Sequence, residues 1–196
     1  MARLAVLASG NGSNFQALVE ALRSRGSPPR HECVILVHDK ESAHAAVRAR
    51  GLGVKSLHLA YPGRSRRDTE AELLAAIRES SADVVALAGF MRLLSPAVVA
   101  ELSGRLVNIH PSMLPAWPGT DAIRRAFEGG ERIFGATVHF VDEGMDTGPI
   151  IAAQSFEAAP GEGLEEIERK VHEIEHRIYP RIVLDLLDQA DIRRRR

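Results

Sequence analysis

Short apolar runs alternate with segments of helical periodicity along the first half of the chain. The runs span residues 4–8, 33–37 and 84–89, and residues 54–57 predict a brief further strand between the last two. Uninterrupted apolar runs of this length are typical of strands that are covered on both faces. The pattern therefore predicts an α/β fold, in which a Rossmann-like, open, mostly parallel and twisted sheet carries helices on both faces.

The segments between these runs predict helices with recognisable ends. The first helix carries its apolar residues at helical spacing and is broken by Gly26, Pro28 and Pro29. Ser42 is expected to cap the alanine-rich second helix, and residues 68–78 form a third, amphipathic helix.

After the fourth predicted strand, at residues 84–89, the chain contains three loops rich in proline and glycine. Their sequences are GFMRLLSP, HPSMLPAWPG and DEGMDTGP. Strands are predicted between them at residues 106–109, 136–141 and 150–156. A long helix over residues 164–187 closes the fold, and Pro180 is expected to kink or split it. Because binding and catalytic residues concentrate on loops, we expect the functional site here.

The composition excludes several classes of protein. The 196 residues are 45% apolar and 26% charged, which is typical of a soluble globular protein of one domain. A net charge of −1 provides no field that would hold nucleic acid. No apolar stretch approaches the roughly 20 residues that cross a bilayer, and the N-terminus lacks a signal-peptide pattern. We therefore expect a cytoplasmic protein that binds neither nucleic acid nor a membrane.

Cys33 is the only cysteine, and it lies within the apolar run CVILV. It can form no internal disulfide and is expected to belong to the core. The chain has no CxxC spacing of the kind that binds zinc, and no metal site is predicted.

Residues 9–14, with the sequence SGNGSN, connect the first predicted strand to the first helix. Glycines that reach positive φ and backbone N–H groups at a helix N-terminus are suited to a phosphate. No lysine follows, as a Walker loop requires, and Phe15 occupies the third glycine position of a GxGxxG motif. Two alternatives stay open: a nicotinamide site with Asp39 as the ribose-binding acid, or a plain turn with Ser13 or Asn14 as helix cap.

Asn108, His110 and Asp146 predict a site for acyl transfer. Asn108 and His110 alternate with apolar residues on one strand, so both side chains share one face. An amide can hold a developing oxyanion and an imidazole can move a proton, while a nearby carboxylate favours a charged imidazole. Each of the three could singly have a structural role, and His139 is interpreted as a structural residue rather than a site residue.

The segments SGNGSN, AGFMRLLSP, NIHPSMLP, GATVHFVDEGMDTGPII and EHRIYP stand together in order over nearly the whole chain. This set resembles the phosphoribosylglycinamide formyltransferases, within the wider superfamily that uses 10-formyltetrahydrofolate. The resemblance implies one formyltransferase domain over residues 1–196. Residues 1–100 would form the ribonucleotide-phosphate-binding half, residues 101–190 the folate-binding and catalytic half, and residues 191–196 a basic tail. Apart from the resemblance, the terminal run of residues 193–196 is expected to be a frayed, solvated end.

The resemblance also implies which residues bind the substrates. Glycinamide ribonucleotide would contact Gly12, Ser13, Asn14, His172, Glu173, Ile174 and Glu175. 10-Formyltetrahydrofolate, the co-substrate, would contact Arg66, Met91, Arg92, Leu93, Leu94, Asn108, Asp142, Glu143, Gly144, Met145 and Asp146. Family members often carry a basic residue where this chain has Ala116 and Trp117, which leaves peripheral folate contacts open.

In the implied reaction, the ribonucleotide amine attacks the formyl carbon. Asn108 and His110 hold the oxyanion, while Asp146 orients His110 and helps to move the proton.

Three alternative functions stay open. A formyltetrahydrofolate hydrolase would bring a regulatory domain, and a methionyl-tRNA formyltransferase would need a nucleic-acid-binding domain. The third alternative is an inactive binding module. A monomer or a homodimer fits the family.

Overall fold

The computed structural model describes residues 1–26 and 30–195. The predicted helix breaks at Pro28 and Pro29 lie outside the described residues, as does Arg196.

Seven strands form one sheet in the order β3-β2-β1-β4-β5-β6-β7. The first five are parallel, whereas β6 is antiparallel to β5 and β7 is antiparallel to β6. The predicted mostly parallel sheet is therefore confirmed. The strands are β1 (Arg3–Ala8), β2 (Glu32–His38), β3 (Ser56–His58), β4 (Val84–Leu87), β5 (Leu106–His110), β6 (Ile133–Phe140) and β7 (Ile150–Glu157).

Six helices connect or follow these strands in the described part of the chain. They are α1 (Ser13–Ser24), α2 (His44–Gly51), α3 (Arg66–Glu79), α4 (Pro96–Glu101), α5 (Ala122–Glu128) and α6 (Leu164–Arg194). Helices α4 and α5 were not predicted, because helices of six and seven residues are too short to display a periodic apolar face.

Two predicted helix caps are wrong. The N-cap of α1 is Gly12, and no side chain caps this helix, so neither Ser13 nor Asn14 has that role. The N-cap of α2 is Ala43 rather than Ser42. In α1 the turn is made by the backbone, because Gly12 has a φ of 77° and a Cβ there would approach Ala45 to 2.7 Å.

The long C-terminal helix extends beyond its predicted end. It continues through Pro180 as one helix, so the predicted split does not occur. Burial of apolar side chains on both sides of the proline offsets the lost backbone hydrogen bond. The predicted frayed tail is also wrong for the described residues, because Arg194 pairs with Asp83 at 2.7 Å and Arg195 pairs with Asp191 at 2.8 Å.

The sheet buries a hydrophobic cluster on each face. One cluster joins β1, β4 and β5 to α1 and α6 and includes Val107 and Ile109, and the other packs α3 and α4 against the opposite face and includes Leu106. Helices thus cover both faces, as predicted. Cys33 packs against the first cluster, and burial raises the pKa of its thiol to about 12. None of the helices in residues 1–26 and 30–195 is long and apolar enough to cross a membrane.

The Tyr179 side chain anchors α6 to the centre of the sheet. This side chain is fully buried, and its hydroxyl donates toward the carbonyl oxygens of Leu87 at 2.8 Å and Val107 at 3.1 Å. These carbonyls belong to β4 and β5, next to the strand position of Asn108. The tyrosine of the EHRIYP segment therefore positions the strand that carries the predicted catalytic residues.

We expect Tyr179→Phe to lower the free energy of unfolding by about 1–2 kcal/mol, because it removes a buried donor from two carbonyl oxygens. Urea denaturation monitored by circular dichroism measures this change. Tyr61→Phe is the matched control, since the Tyr61 hydroxyl has no hydrogen-bond partner among the described residues. Equal stability changes in the two variants would contradict the role of the Tyr179 hydroxyl.

Candidate active site

Strand β5 presents Asn108 and His110 on the same face of the sheet, opposite to Val107 and Ile109. The predicted alternation along this strand is confirmed. The antiparallel register with β6 places His139 beside Asn108 and Thr137 beside His110. Four polar side chains thus come together on one face near the end of β5.

Asp146 links the two predicted catalytic residues. Its Oδ1 lies 3.3 Å from Asn108 Nδ2, and its Oδ2 lies 3.3 Å from His110 Nδ1. The backbone N–H of Gly119 donates to Oδ2 at 2.8 Å. The three residues, which are up to 38 positions apart in the sequence, therefore form one hydrogen-bonded and ionic cluster.

A backbone carbonyl fixes the other nitrogen of the His110 ring. His110 Nε2 lies 2.8 Å from the carbonyl oxygen of Trp117, so this nitrogen must carry a proton. Since Nδ1 faces the Asp146 carboxylate, both ring nitrogens face oxygen acceptors. A protonated imidazolium satisfies both contacts, and this is the form that can stabilise an oxyanion.

His139 is a member of the cluster that the sequence analysis interpreted as structural. Its Nδ1 donates to the carbonyl oxygen of Phe140 at 2.8 Å, and its Nε2 lies 3.2 Å from Asn108 Nδ2 and 3.6 Å from Asp146 Oδ1. In the sequence, only the spacing of two residues between Thr137 and His139 indicated that both side chains share one face of a strand. This spacing places His139 in the site only once the register between β5 and β6 is known.

The surroundings of Asp146 favour its charged form. Burial alone would raise the pKa of its carboxyl, but the close approach of His139 Nε2, the Gly119 N–H donor and the nearby His110 together lower the pKa to about 2. Asp146 is therefore a carboxylate at neutral pH and supplies a fixed negative charge to the histidines beside it.

Backbone strain is concentrated around this cluster. Among the described residues, four non-glycine residues have positive φ, and Trp117, Asp121 and Asp146 are three of them, with φ of 57°, 55° and 56°. The left-handed conformation is unfavourable for residues with a Cβ and persists where contacts enforce it. At Trp117 it accompanies the carbonyl contact to His110, and at Asp146 it accompanies the four contacts of the carboxylate.

The turn after β1 forms a second polar site. Helix α1 begins there without a side-chain cap, so its first N–H groups are available to an anion. Arg48 braces the turn, since its Nε donates to the carbonyl oxygen of Asn11 at 2.9 Å and its guanidinium also contacts the Asn11 side chain at 2.7 Å. The geometry favours a phosphate-binding turn over a plain one.

Helix α6 reaches this turn from a distant part of the sequence. Glu175 Oε2 accepts from Asn14 Nδ2 at 3.2 Å and lies 2.8 Å from His172 Nδ1. The buried acceptor Oδ1 of Asn14 has no hydrogen-bond partner among the described residues. By contrast, Ile174 lies in the core and Glu173 pairs with Arg169, so the observed contacts do not support side-chain roles for these two predicted residues.

The predicted folate-binding loop, residues 91–94, presents apolar side chains to solvent. Met91 is 62% exposed and Leu93 is 58% exposed. Leu94 is only 5% exposed and belongs to the core, so the predicted contact of this residue with the folate would have to come from its backbone. Arg66 donates to the carbonyl oxygen of Leu93 at 2.6 Å and therefore braces this loop from α3.

The loop between β6 and β7 contains the remaining predicted folate residues. Asp142 Oδ1 accepts from the backbone N–H of Gly144 at 3.0 Å and from the Thr147 hydroxyl at 2.7 Å, which closes a tight turn. Glu143 and Met145 are exposed. A cavity of about 200 Å³ adjoins Asp146 and is lined by Leu114, Pro115, Pro118, Met145, Thr147 and Ile150.

A larger groove of about 540 Å³ lies between the C-terminal half of α3 and the N-terminal ends of β1 and β2. It contains none of the predicted site residues, so we assign the chemistry to the smaller cavity beside Asp146.

His172 and His176 stand four residues apart on α6, but no group of three potential metal ligands occurs in residues 1–26 and 30–195.

Comparison with known proteins agrees with this geometry. The model of the family described as formyl transferase matches residues 2–183. The chain belongs to the formyl transferase family.

Relatives within the formyl transferase family match this chain along most of its length. It is 40% identical over 190 residues to phosphoribosylglycinamide formyltransferase of Bacillus subtilis, covering 95% of each chain. The protein of the same name from Escherichia coli is 40% identical over 92% of this chain and 84% of its own. The crystal structure of phosphoribosylglycinamide formyltransferase from Bacillus halodurans superimposes with a TM-score of 0.88 at 38% identity, covering 96% of each chain.

We expect Asp146→Asn to reduce stability at pH 6 and to have a smaller effect as the pH falls. Because folding lowers the pKa of Asp146 to about 2, its carboxylate stabilises the fold above a pH of about 4. This contribution is lost as the pH falls from about 4 to about 2. Asparagine keeps the shape and tolerates positive φ.

Denaturant unfolding of both proteins between pH 2.5 and pH 6 measures this difference. A difference that stays constant over this range would show that the charge of Asp146 does not stabilise the fold.

Proposed function

We propose that this protein transfers the formyl group of 10-formyltetrahydrofolate to the amine of glycinamide ribonucleotide, as a step of purine biosynthesis. The observation that carries the proposal is the Asp146 carboxylate, which joins Asn108 and His110 beside an apolar cavity. The formyl transferase relatives named for this reaction match nearly the whole chain and support it.

The ribonucleotide would occupy the turn between β1 and α1. The uncapped N-terminus of α1 offers N–H groups and the positive end of the helix dipole to its phosphate, at Gly12, Ser13 and Asn14. Glu175, held by His172 and Asn14, offers carboxylate oxygens to ribose hydroxyls. With its phosphate at the turn, the substrate would extend its amine end toward Asn108 on β5.

10-Formyltetrahydrofolate would be bound as a substrate between two loops. The exposed side chains of Met91 and Leu93 provide apolar surface for its rings, and Met145 and Asp146 border the cavity on the other loop. The folate would therefore span the two halves of the domain, with its rings on residues 91–94 and its formyl group near Asp146.

The chemistry follows from the charges in the cluster. The amine nitrogen forms a bond to the formyl carbon, and the formyl oxygen takes up negative charge. An N–H of Asn108 donates to this oxygen, and a protonated His110 stabilises it by charge alone, because both nitrogens of that ring already face Asp146 and the Trp117 carbonyl. The carbon–nitrogen bond to the folate then breaks. The amine loses a proton and the folate nitrogen gains one, with Asp146 as the carboxylate placed to pass it on.

The cluster must rearrange slightly for this step. In the free protein, the two N–H groups of Asn108 face His139 and Asp146. The formyl oxygen therefore competes with Asp146 for one of these donors. Release of the Asp146 oxygen from Asn108 leaves a free acceptor for the amine proton at the time when it is needed.

The cavity beside Asp146 could also admit water, so a hydrolase is the second candidate function. Purified protein mixed with 10-formyltetrahydrofolate, with and without glycinamide ribonucleotide, separates the candidates. We expect formyl-folate to be consumed only when the ribonucleotide is present. Equal consumption without it indicates a hydrolase, and no consumption in either mixture indicates a binding module.

We expect Asn108→Ala to lower kcat about 10²–10³-fold, because the oxyanion loses a donor worth about 3 kcal/mol. The KM for the ribonucleotide should change less than about twofold, since that substrate is bound elsewhere. Steady-state kinetics measure both parameters.

Gln154→Ala is the matched control, because the Gln154 amide lies on β7, which does not adjoin β5, and contacts Arg177. An Asn108→Ala variant whose kcat equals that of the control would overturn the assignment.

The cytoplasmic location and the monomeric or homodimeric state stay predictions.

A further inference from the structure

We propose that Asp39 is a positioning residue for the folate substrate, which it serves by holding Arg92 and thereby the loop of residues 91–94. This inference rests on the proposed formyl transfer. Asp39 follows β2 directly, and its side chain is fully buried. The mechanism above gives it no chemical step.

The pairing of Asp39 with Arg92 is the main observation. Arg92 Nε donates to Asp39 Oδ2 at 2.7 Å, and the exposed fraction of the side chain is 0% for Asp39 and 40% for Arg92. The other carboxylate oxygen, Oδ1, has no hydrogen-bond partner among the described residues. A buried carboxylate with one charged partner is costly to separate from it, so this pair resists disruption.

The Tyr61 ring restricts the same guanidinium from a second direction. The central carbon of the Arg92 guanidinium lies 4.7 Å from the centroid of this ring, at cation–π distance. The planar head group is thus fixed in direction by the Asp39 carboxylate and in plane by Tyr61. Arg92 is suited to this because its charge is permanent and its donors are rigidly spaced.

Backbone contacts hold the rest of the loop. The N–H of Met91 donates to the Ser9 hydroxyl at 2.7 Å, and the N–H of Ser95 donates to Glu70 at 3.0 Å. These contacts fix the backbone and leave the direction of the side chains open. The pair with Asp39 fixes the direction of the Arg92 side chain as well.

Asp39 anchors the side chain that lies between the two exposed apolar ones. Arg92 reaches the buried Asp39 although 40% of its side chain is exposed, whereas Met91 and Leu93 on either side face solvent. Anchoring Arg92 therefore fixes the stretch of backbone from which Met91 and Leu93 project. These two apolar side chains form the surface proposed to bind the folate rings, so a change at Asp39 should reach the folate and not the ribonucleotide.

The same contacts exclude the role in a nicotinamide site that the sequence left open for Asp39. A carboxylate that binds ribose hydroxyls must face the ligand. The Asp39 side chain is fully buried, and its Oδ2 is engaged by Arg92.

Asp39→Asn tests the proposal, because it removes the charge and keeps the shape. We expect the KM for 10-formyltetrahydrofolate and the Kd for tetrahydrofolate to rise about tenfold, while kcat and the KM for the ribonucleotide stay within about twofold. Glu101→Gln is the matched control. It removes the same charge from an exposed pair in which Arg78 lies 3.1 Å from Glu101, and it should leave all four values unchanged.

A double-mutant cycle with Arg92→Met separates positioning from a general effect on stability. If Asp39 acts through Arg92, Asp39→Asn should add less than about twofold to the folate KM in the Arg92→Met background. It should also raise the melting temperature of that background, because the buried carboxylate no longer lacks its partner. Multiplicative effects on the folate KM in the double mutant would overturn the proposal.

Three further outcomes decide between the proposals. A fall in kcat alone, or equal rises in both KM values, would overturn the positioning role while the formyl transfer stands. If wild-type protein consumes no formyl-folate but binds tetrahydrofolate, the formyl transfer fails, and the tenfold change in Kd still supports Asp39. If wild-type protein binds no tetrahydrofolate, both proposals are wrong.

Discussion

The Asp146 carboxylate is the interaction on which the rest of the site depends. It brings Asn108, His110 and His139 into one charged cluster, and the N–H of Gly119 fixes its direction. Its backbone is held in the left-handed conformation, which the contacts of the side chain must offset. Without this negative charge, the two histidines and the amide would be neighbours without a common orientation.

The fold supplies the rigid parts around this flexible chemistry. Tyr179 joins α6 to β4 and to β5, the strand that carries Asn108 and His110. Glu175, one helical turn earlier, reaches the turn between β1 and α1. One helix therefore positions both the catalytic strand and the proposed ribonucleotide site. Other residues hold the loop that would bind the folate: Ser9, Glu70 and Asp39 each form a hydrogen bond to it or to Ser95 directly after it.

The buried strands could be predicted from the sequence because their apolar runs require cover on both faces, and the alternation of Asn108 and His110 with Val107 and Ile109 follows from strand geometry. The role of His139 could not, because it depends on the register between β5 and β6. The Trp117 carbonyl and the Asp39–Arg92 pair were missed for the same reason, since each contact joins elements that no local pattern connects. The caps of α1 and α2 were wrong because backbone conformation, and not a polar side chain, begins these helices.

The most direct test of the account is a crystal structure of the protein with glycinamide ribonucleotide and an unreactive analogue of the formyl-folate. The account predicts that the formyl oxygen lies within hydrogen-bond distance of Asn108 Nδ2, that the amine lies on the Asp146 side of the formyl carbon, and that the phosphate rests on the N-terminus of α1. A formyl oxygen that points away from both Asn108 and His110 would contradict it.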